Sequence, residues 1–220
     1  MSDTHELRAD LQRELTQDLS DIRSEFLRRF GSEVTEFIEH ITRAYLSWQK
    51  LDTVIKDDKK KAYVSALAFT AMNLHIVSFR LFLSGYPVAA GNLQRQVIET
   101  LALLILCSEK SFDVLDRYVS DKYSPNKAVR DLRRQGEKLG VNKSAVIALE
   151  KEYNFYHQYS HPTPMTMAEQ IRFSDHAVFL GAAFDPAKIQ AYKKEAKRKV
   201  SLARVLGNVI EGAIGNIVTW

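Results

Sequence analysis

The chain is poor in cysteine, proline and glycine: one Cys, five Pro and nine Gly occur in 220 residues. A single cysteine, Cys107, excludes an intramolecular disulfide and a Cys-rich metal site, so neither a secreted disulfide scaffold nor a zinc finger fits. The N-terminal sequence MSDTHELRAD lacks the basic and then apolar segments of a secretory signal, and we expect a cytoplasmic protein. Scarce proline and glycine favour long helices, and a hydrophobic content of 45% is sufficient for a buried core.

An N-terminal amphipathic stretch is the longest periodic pattern in the chain. Apolar residues recur in steps of three and four from Leu7 to Trp48, which predicts a helix with one apolar face. The helix either continues through Gly31 and Ser32 or divides there, in which case Ser32 would begin the second helix. Because the apolar face needs a partner, we assign residues 1–50 to an N-terminal region that forms the interface of a homo-oligomer, and residues 51–220 to a bundle core.

Two apolar helices in the middle of the chain are predicted to form the core. Residues 62–83 and 97–107 are apolar around most of the helix, which is typical of buried helices. Between them, Gly85 favours the left-handed end of the first helix, and Pro87 fits the first turn of the second. The sequence therefore predicts a buried antiparallel helix hairpin.

The first core helix also resembles a membrane span in one respect. Residues 62–79 contain no Asp, Glu, Lys or Arg, and their number approaches the length that crosses a bilayer. We reject that interpretation because polar residues such as His75 interrupt the stretch, and the partner helix carries Arg95 and Glu99, which are costly in lipid. We therefore expect no association with a membrane.

The second half of the chain also predicts helices. Residues 111–152 are polar and contain turn signals, as expected for short helices. A tyrosine-rich helix should end near His161 because Pro162 follows it, and a long helix should span residues 186–218. No strand-like alternation or internal repeat is apparent. The predicted fold class is all-α: a helical bundle around the buried hairpin, with a long N-terminal helix and a long C-terminal helix.

Charge is distributed unevenly along the chain. Residues 1–40 contain 5 Arg and 10 acidic residues, whereas residues 188–204 contain seven Lys and Arg and one Glu. The basic stretch is either a solvated helix face, a surface for RNA or an acidic protein, or a partner of the acidic N-terminal helix within an oligomer. The candidate binding residues are Lys193, Lys194, Lys197, Arg198 and Lys199.

The pair Arg95 and Glu99 is the candidate centre of a functional site. These residues are four apart on the second core helix, so they lie on one face of it. Charges among core residues are costly unless they are paired and hydrogen-bonded, so further polar residues should join them. The pair is either a buried salt bridge that fixes the helix register or part of a polar pocket.

The tyrosine-rich segment supplies the expected partners. Tyr156, Ser160 and His161 present a phenol, a hydroxyl and an imidazole at helical spacing, and imidazole is the usual acid–base group near neutral pH. His157 and His161 are four apart, but the zinc motif with this spacing has Glu where this chain has Gln158. We expect neither a metal nor a cofactor. The alternative role for His161 is helix capping or packing.

Two parts of the chain resemble uncharacterised bacterial all-helical families. Members combine a core-helix Arg-x-x-x-Glu, here Arg95 to Glu99, with a later Tyr-Ser-His-Pro, here Tyr159 to Pro162. The resemblance covers residues 60–165. It implies that the arginine, the glutamate and the histidine of these motifs meet in one buried polar cluster, and it implies no established activity.

A weaker resemblance is to the HEPN superfamily of helical bundles, many of which are metal-independent ribonucleases of toxin and antiviral systems. Their motif is an Arg, four to six residues and then a His, at the start of a late helix. Here Arg172 and His176 enclose only three residues, so the motif is not intact. The resemblance therefore implies only a general similarity to this class of helical bundles, and neither the motif nor the activity is carried over.

These patterns are consistent with two functions, of which we favour the first from the sequence. The first function is that of an oligomeric interaction or scaffold protein, with residues 5–50 and 200–218 at its interfaces. The long amphipathic faces lie outside the core hairpin and no catalytic motif is intact, which supports this function.

The second function is a ribonuclease-type effector. His161 would be the acid–base catalyst, and Arg95 would stabilise the charge that develops on the phosphate. Glu99 would orient Arg95, while Tyr156 or Ser160 would position the substrate.

Overall fold

The structure is a computed structural model that describes residues 4–16 and 18–220. The fold is all-α, as predicted. The helices are α1 (Thr4–Thr16), α2 (Ser20–Ile55), α3 (Lys59–Leu83), α4 (Pro87–Cys107), α5 (Val114–Val119), α6 (Ala128–Gln135), α7 (Lys143–His157), α8 (Pro164–Ala168) and α9 (Ile189–Val218). Two short strands, β1 (Ile171–Arg172) and β2 (Ala177–Val178), form an antiparallel pair that the sequence analysis missed.

The N-terminal helical stretch divides earlier than expected. Helix α1 ends at Thr16 and α2 begins at Ser20, whereas α2 continues through Gly31. The neighbouring Phe30 leaves the helical conformation, with φ −123° and ψ 22°, so the helix bends at this point without ending. Residues 1–3 and 17 of the predicted N-terminal region lie outside the described residues.

The predicted core hairpin is confirmed. Helices α3 and α4 pack against each other, and the turn between them places Gly85 at φ +82°, a conformation that side chains other than glycine rarely adopt. A Cβ on Gly85 would also lie 2.9 Å from the backbone nitrogen of Ala183. Pro87 occupies the first turn of α4, as its fixed φ requires.

Helices α2 and α9 pack along each other, and their apolar stripes are largely buried within this one chain. The buried members are Phe26, Phe30, Phe37, Ala44 and Leu51 on α2, and Val200, Ala203, Leu206, Ile210, Ala213 and Ile217 on α9. These faces stabilise the fold and are not open to a second copy. Among the exposed apolar residues are Leu7, Leu11 and Leu15 of α1; Leu15 is 85% exposed.

One helix in the described part of the chain, α3, is long and apolar enough to cross a membrane by length and composition. Of its most apolar window, 44% is buried inside the fold, and the core helix of a soluble protein passes the same test. The buried positions include His75 and Ser78, which both form hydrogen bonds within the bundle. The structure is therefore compatible with a soluble protein.

Candidate functional site

Arg95 and Glu99 pair on α4 and meet Ser160 of the tyrosine-rich segment, as expected. His161 does not join them in a buried cluster, which corrects what the resemblance implied: its ring is exposed and lies against His157. Arg95 Nε donates a hydrogen bond to Glu99 Oε1 at 3.0 Å, and its Nη1 donates to Ser160 Oγ at 2.8 Å. The side chains of Arg95 and Glu99 are 20% and 13% exposed. This ion pair is therefore largely buried, with a small part of each side chain open to solvent.

Three aromatic side chains continue outward from this ion pair. The Arg95 guanidinium lies 5.6 Å from the centre of the Tyr153 ring, and the Tyr153 ring lies 6.0 Å from that of His157. The His157 and His161 rings are 4.9 Å apart between centres, and both residues are exposed. We call the whole group the α4–α7 edge, which consists of Arg95, Glu99, Tyr153, His157, Ser160 and His161.

The chain reaches this arrangement through a close contact between α4 and the segment that follows α7. A Cβ on Gly91 would lie 2.4 Å from Tyr159 Cγ, so only glycine lets the buried Tyr159 ring pack on α4. Helix α7 ends at His157, a 3₁₀ turn follows, and His161 adopts an extended conformation before Pro162. The anchored turn brings Ser160 to Arg95.

Tyr156 does not join the α4–α7 edge, which corrects the prediction that it positions a substrate there. Its ring is buried, and its hydroxyl donates to the Glu195 carboxylate, at 3.0 Å from one oxygen and 3.1 Å from the other. Burial, followed by the charge of Glu195, raises the pKa of Tyr156 well above its ordinary value. The phenol is therefore a neutral donor inside the bundle.

The same interior holds a polar network that the sequence analysis did not assign. Lys199 is fully buried, and its Nζ lies 3.2 Å from Glu195 Oε1, 2.7 Å from Ser78 Oγ and 3.2 Å from Gln94 Oε1. His75 of α3 connects Gln94 with the backbone of Lys199: its Nδ1 lies 3.1 Å from Gln94 Oε1, and its Nε2 lies 2.9 Å from the Lys199 carbonyl oxygen. Helices α3, α4 and α9 are thus cross-linked by hydrogen bonds.

Burial suppresses positive charge in this network. Burial and, after it, the charge of Lys199 lower the pKa of His75 to about 3, against the opposite effect of the two hydrogen bonds to the ring. Burial also lowers the pKa of Lys199, which the Glu195 carboxylate partly opposes. Because both side chains are sealed from solvent, the network fixes the packing of α9 and cannot bind a partner.

The predicted binding residues on α9 divide into two groups. Lys193, Lys194 and Lys197 are exposed, as a binding surface requires. Arg198 is one-third exposed and lies over the Phe155 ring at 3.6 Å. The prediction for Lys199 was wrong, because this residue continues the apolar stripe of α9 and points into the core.

The acidic N-terminal helix and the basic α9 meet within one chain. Arg204 donates to Glu36 across the α2–α9 contact. A groove of about 430 Å³ between these helices is lined by Arg29, Glu33 and Lys193 among others. Part of the basic stretch therefore faces acidic residues of the same chain, whereas the sequence analysis had considered such a contact between copies.

The residues closest to the HEPN motif lie in the short β-hairpin and not at the start of a helix. Arg172 pairs with Asp175 at 2.6 Å, and His176 has φ +57° in the turn. In the described ranges, no group of three or more His, Cys, Asp or Glu side chains is arranged to hold a metal ion.

Comparisons of the chain with family models, with curated proteins and with solved structures gave no match.

Proposed function

We propose that the protein is a ribonuclease-type effector that cleaves RNA at the α4–α7 edge without a metal. The observation that carries this proposal is the hydrogen bond from Arg95 to Ser160, which ties an arginine to the residue that directly precedes the exposed His161. A positioned cation next to an accessible acid–base group is what cleavage of a phosphodiester requires. We prefer this function to a scaffold because the stripes assigned to oligomerisation are largely internal.

Four members of the α4–α7 edge have distinct roles in this proposal. His161 transfers protons, because imidazole exchanges protons near neutral pH. Arg95 stabilises the negative charge that develops on the phosphate, with the guanidinium held by Glu99. Ser160 is a positioning residue, since its hydroxyl joins Arg95 to the turn that carries His161.

The exposed lysines of α9 support the choice of RNA as the substrate. Lys193, Lys194 and Lys197 place positive charge on one helix, and such charge attracts phosphates over several ångströms. If they contact RNA, the logarithm of affinity should fall linearly with the logarithm of salt concentration, and neutralising them should reduce that slope.

The test is cleavage of a labelled single-stranded RNA by the purified full chain in the presence of a chelator. We expect cleavage by the wild type and a loss of about 10²-fold or more in His161→Gln, the usual contribution of an acid–base residue. Arg95→Gln should lose activity similarly. Because His161 is exposed, thermal unfolding of His161→Gln should stay close to that of the wild type, whereas Arg95→Gln leaves the largely buried Glu99 without its cation and should unfold at a lower temperature.

The matched control is His176→Asn, which removes another exposed histidine at a position whose φ of +57° asparagine tolerates. This variant should cleave RNA at the wild-type rate. A wild-type chain that leaves RNA intact, or a folded His161→Ala variant of undiminished activity, contradicts the proposal.

A second candidate function, an oligomeric interaction protein, is favoured by one observation. Leu7, Leu11 and Leu15 lie on one face of α1 and remain exposed. A second copy of the chain would bury them. Size-exclusion chromatography with light scattering should then give a dimer or larger for the wild type and a monomer when the three are replaced by serine; a wild-type monomer at high concentration contradicts this function.

A further inference from the structure

The α4–α7 edge contains two imidazoles, although the proposed function assigns a role to only one of them. Resting on that proposed function, we infer that His157 is the second catalytic acid–base residue, paired with His161 at one reacting phosphate. The substrate class that follows is RNA with a free 2′-hydroxyl at the cleaved linkage.

The two rings are the closest pair of histidines in the described structure. Their centres are 4.9 Å apart, and both side chains face solvent at the end of α7. Tyr153 supports the His157 ring from the other side, with an angle of 30° between the ring planes. The pair is therefore held side by side within reach of one phosphate group.

The nitrogens of these two rings are also free for chemistry, in contrast to those of buried histidines. In His75 both ring nitrogens contact oxygen atoms of the bundle, and in His40 Nε2 is near Glu36 and Arg204. Across residues 4–16 and 18–220, no protein hydrogen bond engages a ring nitrogen of His157 or His161. Both imidazoles can thus exchange protons with a substrate.

Two imidazoles complete a balanced reaction without a further reagent. The neutral imidazole takes the proton of the 2′-hydroxyl, and the 2′-oxygen forms a bond to phosphorus. The bond between phosphorus and the 5′-oxygen breaks, and the protonated imidazole gives its proton to that oxygen. The products are a 2′,3′-cyclic phosphate and a 5′-hydroxyl, and the histidines have exchanged protonation states.

Arg95 belongs to the same α4–α7 edge, and in this proposal it stabilises the additional negative charge on the phosphate. The guanidinium lies 5.6 Å from the centre of the Tyr153 ring, and that ring lies 6.0 Å from the His157 ring, so Tyr153 connects the cation to the two imidazoles. A bound RNA would extend from the imidazoles toward Arg95.

The first experiment compares His157→Gln, His161→Gln and the double variant in cleavage of a labelled RNA across pH 5–9. We expect each single variant to lose about 10²-fold or more in rate, and the double variant to lose little beyond either one, because residues that act as a unit are not additive. The wild type should show a bell-shaped pH profile, and each single variant should lose one limb. His176→Asn is again the control.

The outcomes separate this inference from the proposed function. If the wild type cleaves RNA and His157→Gln does so within about 3-fold of the wild-type rate, the inference is overturned while the proposed function stands. If the wild type does not cleave RNA under any condition tested, the proposed function fails, and the pairing is then decided by the binding measurement that follows.

The second experiment measures binding and does not depend on turnover. A 2′-O-methyl oligonucleotide, which cannot be cleaved by this reaction, is titrated into the full chain while the ring signals of the histidines are followed by NMR. We expect the signals of His157 and His161 to shift together with the same affinity, and that of His176 to stay unchanged. A shift confined to His161, or no shift of either ring, overturns the inference.

Discussion

Acidification should unfold this protein through His75, and the structure gives the size of the effect. The ring is sealed between Lys199 of α9, Gln94 of α4 and the Phe37 ring of α2, and its pKa falls from the ordinary 6.5 to about 3. The folded state therefore keeps His75 neutral over a range in which the unfolded chain takes up a proton. Stability is fully present above pH 6.5 and is lost as the pH falls toward 3.

The magnitude follows from the linkage between proton binding and folding. A pKa difference of this size corresponds to about 5 kcal/mol once the pH is below both values. Between pH 6 and pH 4 this one group should remove about 2 to 3 kcal/mol, because its slope approaches 1.4 kcal/mol per pH unit there. For a domain of typical stability, such a loss is a large fraction of the total.

The assay is urea unfolding, followed by circular dichroism, at pH 6, 5 and 4. His75→Leu removes the titrating group, and Gln94 Oε1 keeps its contacts with Ser78 and Lys199, so the variant should fold. We expect a shallower loss of stability on acidification in this variant than in the wild type. His176→Asn, an exposed histidine, is the control and should keep the wild-type slope. Equal slopes for His75→Leu and the wild type would refute the reasoning.

Two further predictions concern packing inside the bundle. Glu195→Ala leaves the Lys199 ammonium buried without its carboxylate, so the free energy of unfolding should fall by about 3 to 5 kcal/mol in urea titrations. The double variant Lys199→Met with Glu195→Gln should be destabilised less, since no buried charge is left; a double variant as unstable as Glu195→Ala would contradict this account. Gly91→Ala forces a methyl group against the Tyr159 ring and should cost about 1 to 3 kcal/mol. The matched control is Gly31→Ala, where a methyl group meets no atom within 4 Å, and calorimetry should show little change there.

The helices and the core hairpin could be predicted because their signals are local. The apolar period of α3 and α4 depends on residues three and four apart, and Gly85 and Pro87 act on the turn they occupy. The contact of Arg95 with Ser160 was also predictable in kind, because an ionised side chain among core residues needs polar partners. The identity of that partner came from a resemblance and from helical spacing.

The position of Lys199 was missed even though a signal was present. Lys199 continues a stripe of buried residues with Tyr192, Ala196, Ala203 and Leu206, at steps of three and four. The sequence analysis considered the net charge of residues 188–204. A net charge does not show which residues of a helix face the core, so the buried position of Lys199 was overlooked. Lys197, two residues earlier and therefore on the opposite side of the helix, is exposed as predicted.

The sequence alone determined that this protein is helical, where its buried hairpin turns, and that ionised groups in that hairpin need partners, because each depends on residues close together in the chain. Only the tertiary structure decided which groups meet. Tyr156 contacts Glu195 and Tyr153 contacts Arg95, although both belong to one helix, because α7 packs against α4 while some of its side chains reach α9. Contacts between helices far apart in sequence depend on how the bundle packs, and no local pattern encodes that packing.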